Sequence, residues 1–386
     1  VFISAFGIRF TGHQLQILGL LILNQIFLSF YVFIRSNVSG LHLFKTDAVL
    51  SVLDKTISSI LCALILWTSI TPFAITISNF IWSQITGYII AGSMGLIMLS
   101  GYFKKMRFRF QMELLKEIVR NSYPFAMLTF LMAVYYRIDG VMIERLLGEN
   151  GAAEAGIYAS AFRLLDALSI LGLMFASILL PMFSRMLHQK EPVQQFAELN
   201  FKIMLLLSAG SGIAFIFYRQ PIMEMLYVNA TPYYAIIFGW LMVSFINISI
   251  VYIFGTLLTA NGSMRSLNSI AITGVVLNIG LNMLLIPKMQ AQGAAIATVA
   301  TQIFVTAAHI ITAYRILQFK IFPKVWLQVA GFISVYIILC LGITYLQFSW
   351  YYKLLISMLI SLPAATGTGM LRINELKPIF HLMKKE

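Results

Sequence analysis

An all-α, polytopic transmembrane helical bundle is the fold class that the sequence predicts, on three observations. The 386 residues are 60% hydrophobic and 11% charged, with a mean hydropathy of +0.87, whereas soluble domains carry about 25% charged and 45–50% apolar residues. The apolar residues fall in runs of about 17–25, the length that crosses about 30 Å of hydrocarbon at 1.5 Å per residue. Short polar segments separate the runs and hold most of the 27 Lys and Arg residues.

Windows of about 19 residues place helices at 15–34, 48–67, 77–99, 121–143, 157–183, 201–218, 235–258, 268–286, 293–314, 325–346 and 352–370, eleven spans in all. Assigning alternate loops to the two sides puts 20 Lys and Arg on one side and five on the other; Arg137 and Arg163, inside helices, complete the 27. Cationic loops stay cytoplasmic, so the 102–120 loop and the C-terminal tail are expected there. The odd count then places Val1 outside, and the economical expectation is that an odd number of spans precedes it.

The net charge of +13 raises nucleic acid as a partner, but the charge is spread over short loops, so no nucleic-acid partner is expected. The run 104–109 reads as a solvated face attracted to anionic membrane lipids, and secondarily as a substrate entry point. Cys62 and Cys340 both lie inside apolar runs and read as small core residues. The five scattered histidines support no metal site, and His309 reads as a packed or interfacial residue. Asp54 and Lys55 read as interfacial. No phosphate-binding loop and no nucleophile–base motif is found, so neither catalysis nor a bound cofactor is expected.

A weak internal echo relates the helix end from Asn24 to the Arg35-Ser36-Asn37 turn with that from Asn247 to the Ala260-Asn261-Gly262 turn, each followed by two more spans. Parallel repeats of this kind build many transporters. The second unit has three spans before this point and the first has none, so about three helices are expected upstream.

Two segments are more specific. One runs Tyr136-Arg137-Ile138-Asp139-Gly140, then Leu147-Gly148, Gly156-Ile157-Tyr158, Phe162-Arg163 and Leu180-Pro181-Met182-Phe183-Ser184-Arg185. The other comprises Asn278, Asn282, Ile286-Pro287 and Gly293-Ala294-Ala295-Ile296-Ala297-Thr298. Together they resemble the polysaccharide-repeat flippases, the O-antigen and capsule transporters of the multidrug/oligosaccharidyl-lipid/polysaccharide exporter superfamily. The resemblance implies the fourth to fourteenth of fourteen spans. Residues 1–110 would form part of an N-terminal lobe, 111–320 a six-span C-terminal lobe, and 321–386 a helix pair with its tail. It also implies a bacterial cytoplasmic (inner) membrane, a lipid-linked oligosaccharide as substrate, and other polysaccharide-assembly membrane proteins as partners.

Physical chemistry gives these residues roles of their own. Gly293, Ala294, Ala295 and Thr298 present little bulk and let helices approach closely in lipid. Asn278 and Asn282 share a face at i and i+4, where amides can bond to another helix. These six residues read as a helix-packing cluster. Pro287 is expected to end one helix and Gly293 to open the next.

Arg137, Asp139, Arg163 and Asp166 are the candidate substrate-binding residues. A charge within a span costs about 2.5–3.5 kcal/mol even on insertion scales. Arg137 lies about 16 residues, roughly 24 Å, from the cationic end of its span. Arg163 and Asp166, at i and i+3, can share a face, whereas Arg137 and Asp139 point differently. Two readings stand: an Arg/Asp lock within this hairpin, or a guanidinium facing the transport cavity to meet an anionic headgroup.

The expected function is a flippase that carries a polyprenyl-pyrophosphate-linked oligosaccharide from the cytoplasmic to the outer leaflet by rocking of two lobes about a polar cavity. The first rival is a cation-coupled drug exporter, in which Asp139 and Asp166 would serve Na⁺ or H⁺. The second is a membrane sugar polymerase or acyltransferase, disfavoured because the longest loops are only 15–20 residues.

Overall fold

The computed structural model describes residues 12–41, 43–67, 76–103, 111–320 and 323–372. They form α1 (Gly12–Gly40), α2 (Phe44–Trp67), α3 (Ile77–Phe103), α4 (Met112–Leu146), α5 (Gly151–His188), α6 (Val193–Phe217), α7 (Arg219–Leu226), α8 (Pro232–Ala260), α9 (Met264–Ile316), α10 (Pro323–Thr344) and α11 (Trp350–Gly367). A 3-10 turn, Gly148–Asn150, joins α4 to α5. Among the described residues the fold is all-α, and nine helices are long and apolar enough to cross a membrane.

The expected spans reappear as helices with two adjustments, and the last of them, α11, is not among the nine long and apolar enough to cross a membrane. At 53 residues, α9 would run about 80 Å if straight, far more than the hydrocarbon layer is thick. It folds back at Gln290, whose φ of 54° and ψ of −136° interrupt the helix, so its two arms are the eighth and ninth spans. The turn expected between Pro287 and Gly293 therefore falls at Gln290. Proline removes one backbone donor but does not stop the chain from completing another turn; the left-handed φ at Gln290 does. The last helix, α11, has 18 residues and begins Trp350-Tyr351-Tyr352-Lys353, the aromatic and cationic chemistry of a membrane interface.

The chain divides into two units, Val1–Gln111 and Met112–Glu386. In the first, α3 packs against both α1 and α2 over a core of Ile34, Val38, Leu50 and Leu99. Asp54, early in α2, is buried. It accepts a 3.2 Å hydrogen bond from the Tyr31 hydroxyl and pairs with Lys55 at 3.2 Å.

In the second unit α8 is central, touching α5, α6, α7 and α9, while α4 packs on α5 and α9. Among the 29 residues of α8 the apolar side chains face all round, which suits a helix enclosed by others in lipid. The α10–α11 pair leans on α6. The buried Tyr336 hydroxyl lies 2.6 Å from the Gly210 carbonyl and 2.9 Å from that of Ser357, linking the three helices. Gly148, at φ +58°, takes the left-handed conformation that lets the chain reverse between α4 and α5, where a side chain would be strained.

Candidate functional site

Arg137 and Asp139 stand two residues apart on α4, about 200° around a helix of 3.6 residues per turn, and their environments differ accordingly. The Arg137 side chain is 67% exposed. Asp139 is 1% exposed.

Asp139 is the centre of a buried polar cluster drawn from three helices. The Tyr158 hydroxyl of α5 donates to its Oδ2 at 2.7 Å. Thr298 Oγ1, on the second arm of α9, donates to the same oxygen at 2.6 Å. Asn282 Nδ2, on the first arm, donates to Oδ1 at 2.6 Å and reaches Asn278 Oδ1 at 3.1 Å. All five residues are buried. No cationic side chain joins them among the described residues. Asn282 Oδ1 and Asn278 Nδ2 have no hydrogen-bond partner there either. The cluster thus gathers a carboxylate and neutral oxygens with one amide oxygen still free, a donor set suited to a proton or a monovalent cation.

The packing residues surround this cluster. Ala294 and Ala295 are fully buried, and a Cβ at Gly293 would run into the Leu285 carbonyl. The turn that brings the two arms of α9 together is tied down by its neighbours. Glu154 Oε2 accepts from the Tyr233 hydroxyl at 2.9 Å and from the Ala291 N–H at 3.2 Å. The Gln292 N–H donates to the Tyr233 hydroxyl at 3.3 Å. Packing and polar recognition therefore meet in the same residues.

Arg137 has a different partner from the one its neighbours in sequence suggest. Its Nη2 lies 3.0 Å from Asp166 Oδ2, and its guanidinium sits 5.3 Å from the centre of the Phe162 ring. Asp166 is 46% exposed at its side chain. Arg163 is exposed and makes no ion pair among the described residues. Three of the four charged candidates therefore share the exposed α4–α5 surface, and Asp139 faces inward.

Sequence reasoning did not single out Glu154 or Tyr233, nor give Tyr158 a role. The signal available for Tyr158 was its place in the quoted Gly156-Ile157-Tyr158 motif. The basic run 104–109 lies outside the described residues. His309 is buried, with Nδ1 2.8 Å from the Val305 carbonyl, and lines a 220 Å³ cavity with Tyr135, Tyr136 and Tyr252. Cys62 and Cys340 are free thiols, the first 3.2 Å from the Ser83 hydroxyl. Among the described residues no three His, Cys, Asp or Glu side chains are grouped to hold a metal ion.

Residues 4–187 match the family model described as polysaccharide biosynthesis protein, a stretch that includes Arg137, Asp139, Tyr158, Arg163 and Asp166. The fold is similar to that of a solved structure, the lipid II flippase MurJ in an inward closed conformation, with a TM-score of 0.69 at 15% identity over 92% of this chain and 73% of that one. Among curated proteins no match is found. That family match covers just under half of the chain; with nine helices among the described residues long and apolar enough to cross a membrane, it fits a multi-pass membrane protein whose fold is similar to that of the flippase structure.

Proposed function

We propose that the chain moves a polyprenyl-pyrophosphate-linked oligosaccharide, such as an O-antigen or capsule repeat, from the cytoplasmic to the outer leaflet of a bacterial inner membrane. The observation that carries this reading is the exposure of Arg137 within a membrane span. A charged side chain facing lipid costs about 2.5–3.5 kcal/mol at least, so a 67% exposed guanidinium at that depth belongs on a watered surface. Asp166 and the Phe162 ring hold it in place, and its other N–H groups have no partner among the described residues. A guanidinium stays charged at physiological pH and can bind two anionic oxygens at once, which suits a pyrophosphate or an acidic sugar. The Lys/Arg-rich side is cytoplasmic on this reading, and the loop cations there attract anionic lipid.

The test is complementation of a bacterium that lacks its own polysaccharide-repeat flippase. Surface polysaccharide should return with this chain. Unchanged surface polysaccharide, alongside raised tolerance to amphipathic drugs, would favour the drug-exporter reading instead.

The Asp139 cluster favours a second element of the mechanism, coupling to Na⁺ or H⁺. A carboxylate 1% exposed and surrounded only by neutral donors gains most from a cation or a proton. Binding there would bridge α4, α5 and both arms of α9, and so connect ion occupancy to the packing of the unit. Transport by reconstituted protein should then depend on a Na⁺ or pH gradient, and transport indifferent to both would remove this element.

A further inference from the structure

The reverse turn of α9 is held by side chains from two other helices. Gln290 sits at φ 54° and ψ −136°, a backbone conformation open to glycine and strained for a residue with a Cβ. The chain alone therefore does not favour the reversal. The second arm starts here, so its leading N–H groups have no carbonyl within their own arm to bond. Two of them are taken up from outside: the Ala291 N–H donates to Glu154 Oε2 at 3.2 Å, and the Gln292 N–H to the Tyr233 hydroxyl at 3.3 Å. Tyr233 in turn donates to Glu154 Oε2 at 2.9 Å. This latch converges on Glu154, half-buried in the first turn of α5.

The same turn decides how the Asp139 cluster closes. Asn282 lies eight residues before Gln290 and Thr298 eight after it, about 12 Å along each arm at 1.5 Å per residue. Both donate to Asp139 at 2.6 Å, from opposite arms. Over that length a rotation of about 5° at the turn displaces either side chain by roughly 1 Å, enough to break such a hydrogen bond. Glu154 also shares a face of α5, at i and i+4, with Tyr158, whose hydroxyl lies 2.7 Å from Asp139 Oδ2 and 3.2 Å from Thr298 Oγ1. The contacts form a closed circuit: Asp139 to Tyr158, along α5 to Glu154, across to the turn, and along the second arm to Thr298.

We propose that Glu154 is a positioning residue for the coupling ion: by latching the turn it sets the spacing of Asn282 and Thr298 about Asp139, and with it the affinity for Na⁺. The proposal rests on the cation-coupling reading. It takes Na⁺ from the two ions of that reading, because a metal ion needs several ligands held at once in a fixed geometry, whereas a proton needs one acceptor.

The test measures how much unlabelled NaCl displaces radioactive Na⁺ from the full chain in detergent, with choline chloride holding ionic strength constant at one pH. Asp139→Asn gives the background that does not come from the cluster. Glu154→Ala is expected to raise the half-displacing concentration about tenfold, the low end of what losing an outer-shell partner costs a metal site. Glu154→Gln keeps a side-chain oxygen that can accept from Tyr233 and Ala291, so it should restore the wild-type value. If the alanine variant does not fold, Tyr233→Phe, which removes the hydroxyl that receives Gln292, is expected to shift the value in the same direction. A merely structural contact would lower the melting temperature in choline chloride and leave the half-displacing concentration where it was. That result would overturn the proposal, as would a glutamine variant as weak as the alanine one, since charge and not position would then be at work. A wild-type chain that binds no more Na⁺ than Asp139→Asn would instead overturn Na⁺ coupling itself, and the proposal with it.

Discussion

Arg137 on α4 and Asp166 on α5 form a 3.0 Å ion pair in which both side chains remain substantially exposed, at 67% and 46%. An exposed pair of this kind contributes only about 0–1 kcal/mol, so it is a weak lock. Its larger effect is to fix where the guanidinium points, above the Phe162 ring.

Arg137→Ala should therefore leave membrane accumulation close to wild type and severely reduce polysaccharide export. Arg137→Lys should impair export partially, because a point charge replaces a planar bidentate donor. Arg163→Ala should also accumulate normally, since Arg163 is exposed. Recovery of export by Arg137→Ala combined with Asp166→Ala would show that the pair is structural after all. Full export by both single arginine variants would remove a binding role from each.

At the buried cluster, Asp139→Ala takes the acceptor away from Tyr158, Asn282 and Thr298 at once. A buried donor left unpartnered costs about 1–3 kcal/mol, so this variant should accumulate poorly and melt earlier in detergent. Asp139→Asn keeps the shape but cannot carry the charge. It should accumulate better than the alanine variant and lose the dependence of transport on a Na⁺ or pH gradient. An asparagine variant with wild-type ion dependence would exclude Asp139 as the coupling group.

Ala294 and Ala295 are fully buried where the second arm of α9 meets its neighbours. Replacing either with Leu should lower the yield of monodisperse protein, since overpacking typically costs about 1–3 kcal/mol. Gel filtration of the solubilised variants reads this directly. Normal yield with lost transport would move the cluster from packing to function.

Orientation can be tested at the C-terminus. Alternating the loops assigns the tail to the side that would carry 20 of the Lys and Arg residues, so a reporter active only outside the cytoplasm, fused after Glu386, should stay silent. An active fusion would invert the topology.

The helical spans were legible in the sequence because they depend on a local property, the length of each apolar run. Helical spacing also separated Arg137 from Asp139, since two residues on one helix keep a known angle. What the spacing left open was partnership between helices. Arg163 and Asp166 are three residues apart and Asp166 nonetheless pairs with Arg137, because a shared face does not decide which neighbour is nearer once α4 lies beside α5. Asn278, Asn282 and Thr298 were recognisable as polar packing residues, but that they close on Asp139, 139 to 159 positions earlier, required the turn at Gln290 to bring both arms of α9 against α4. Composition and period determine which segments enter the membrane and which face each side chain takes; only the packed helices decide which buried donor meets which carboxylate, because those bonds join residues that the chain itself does not keep close.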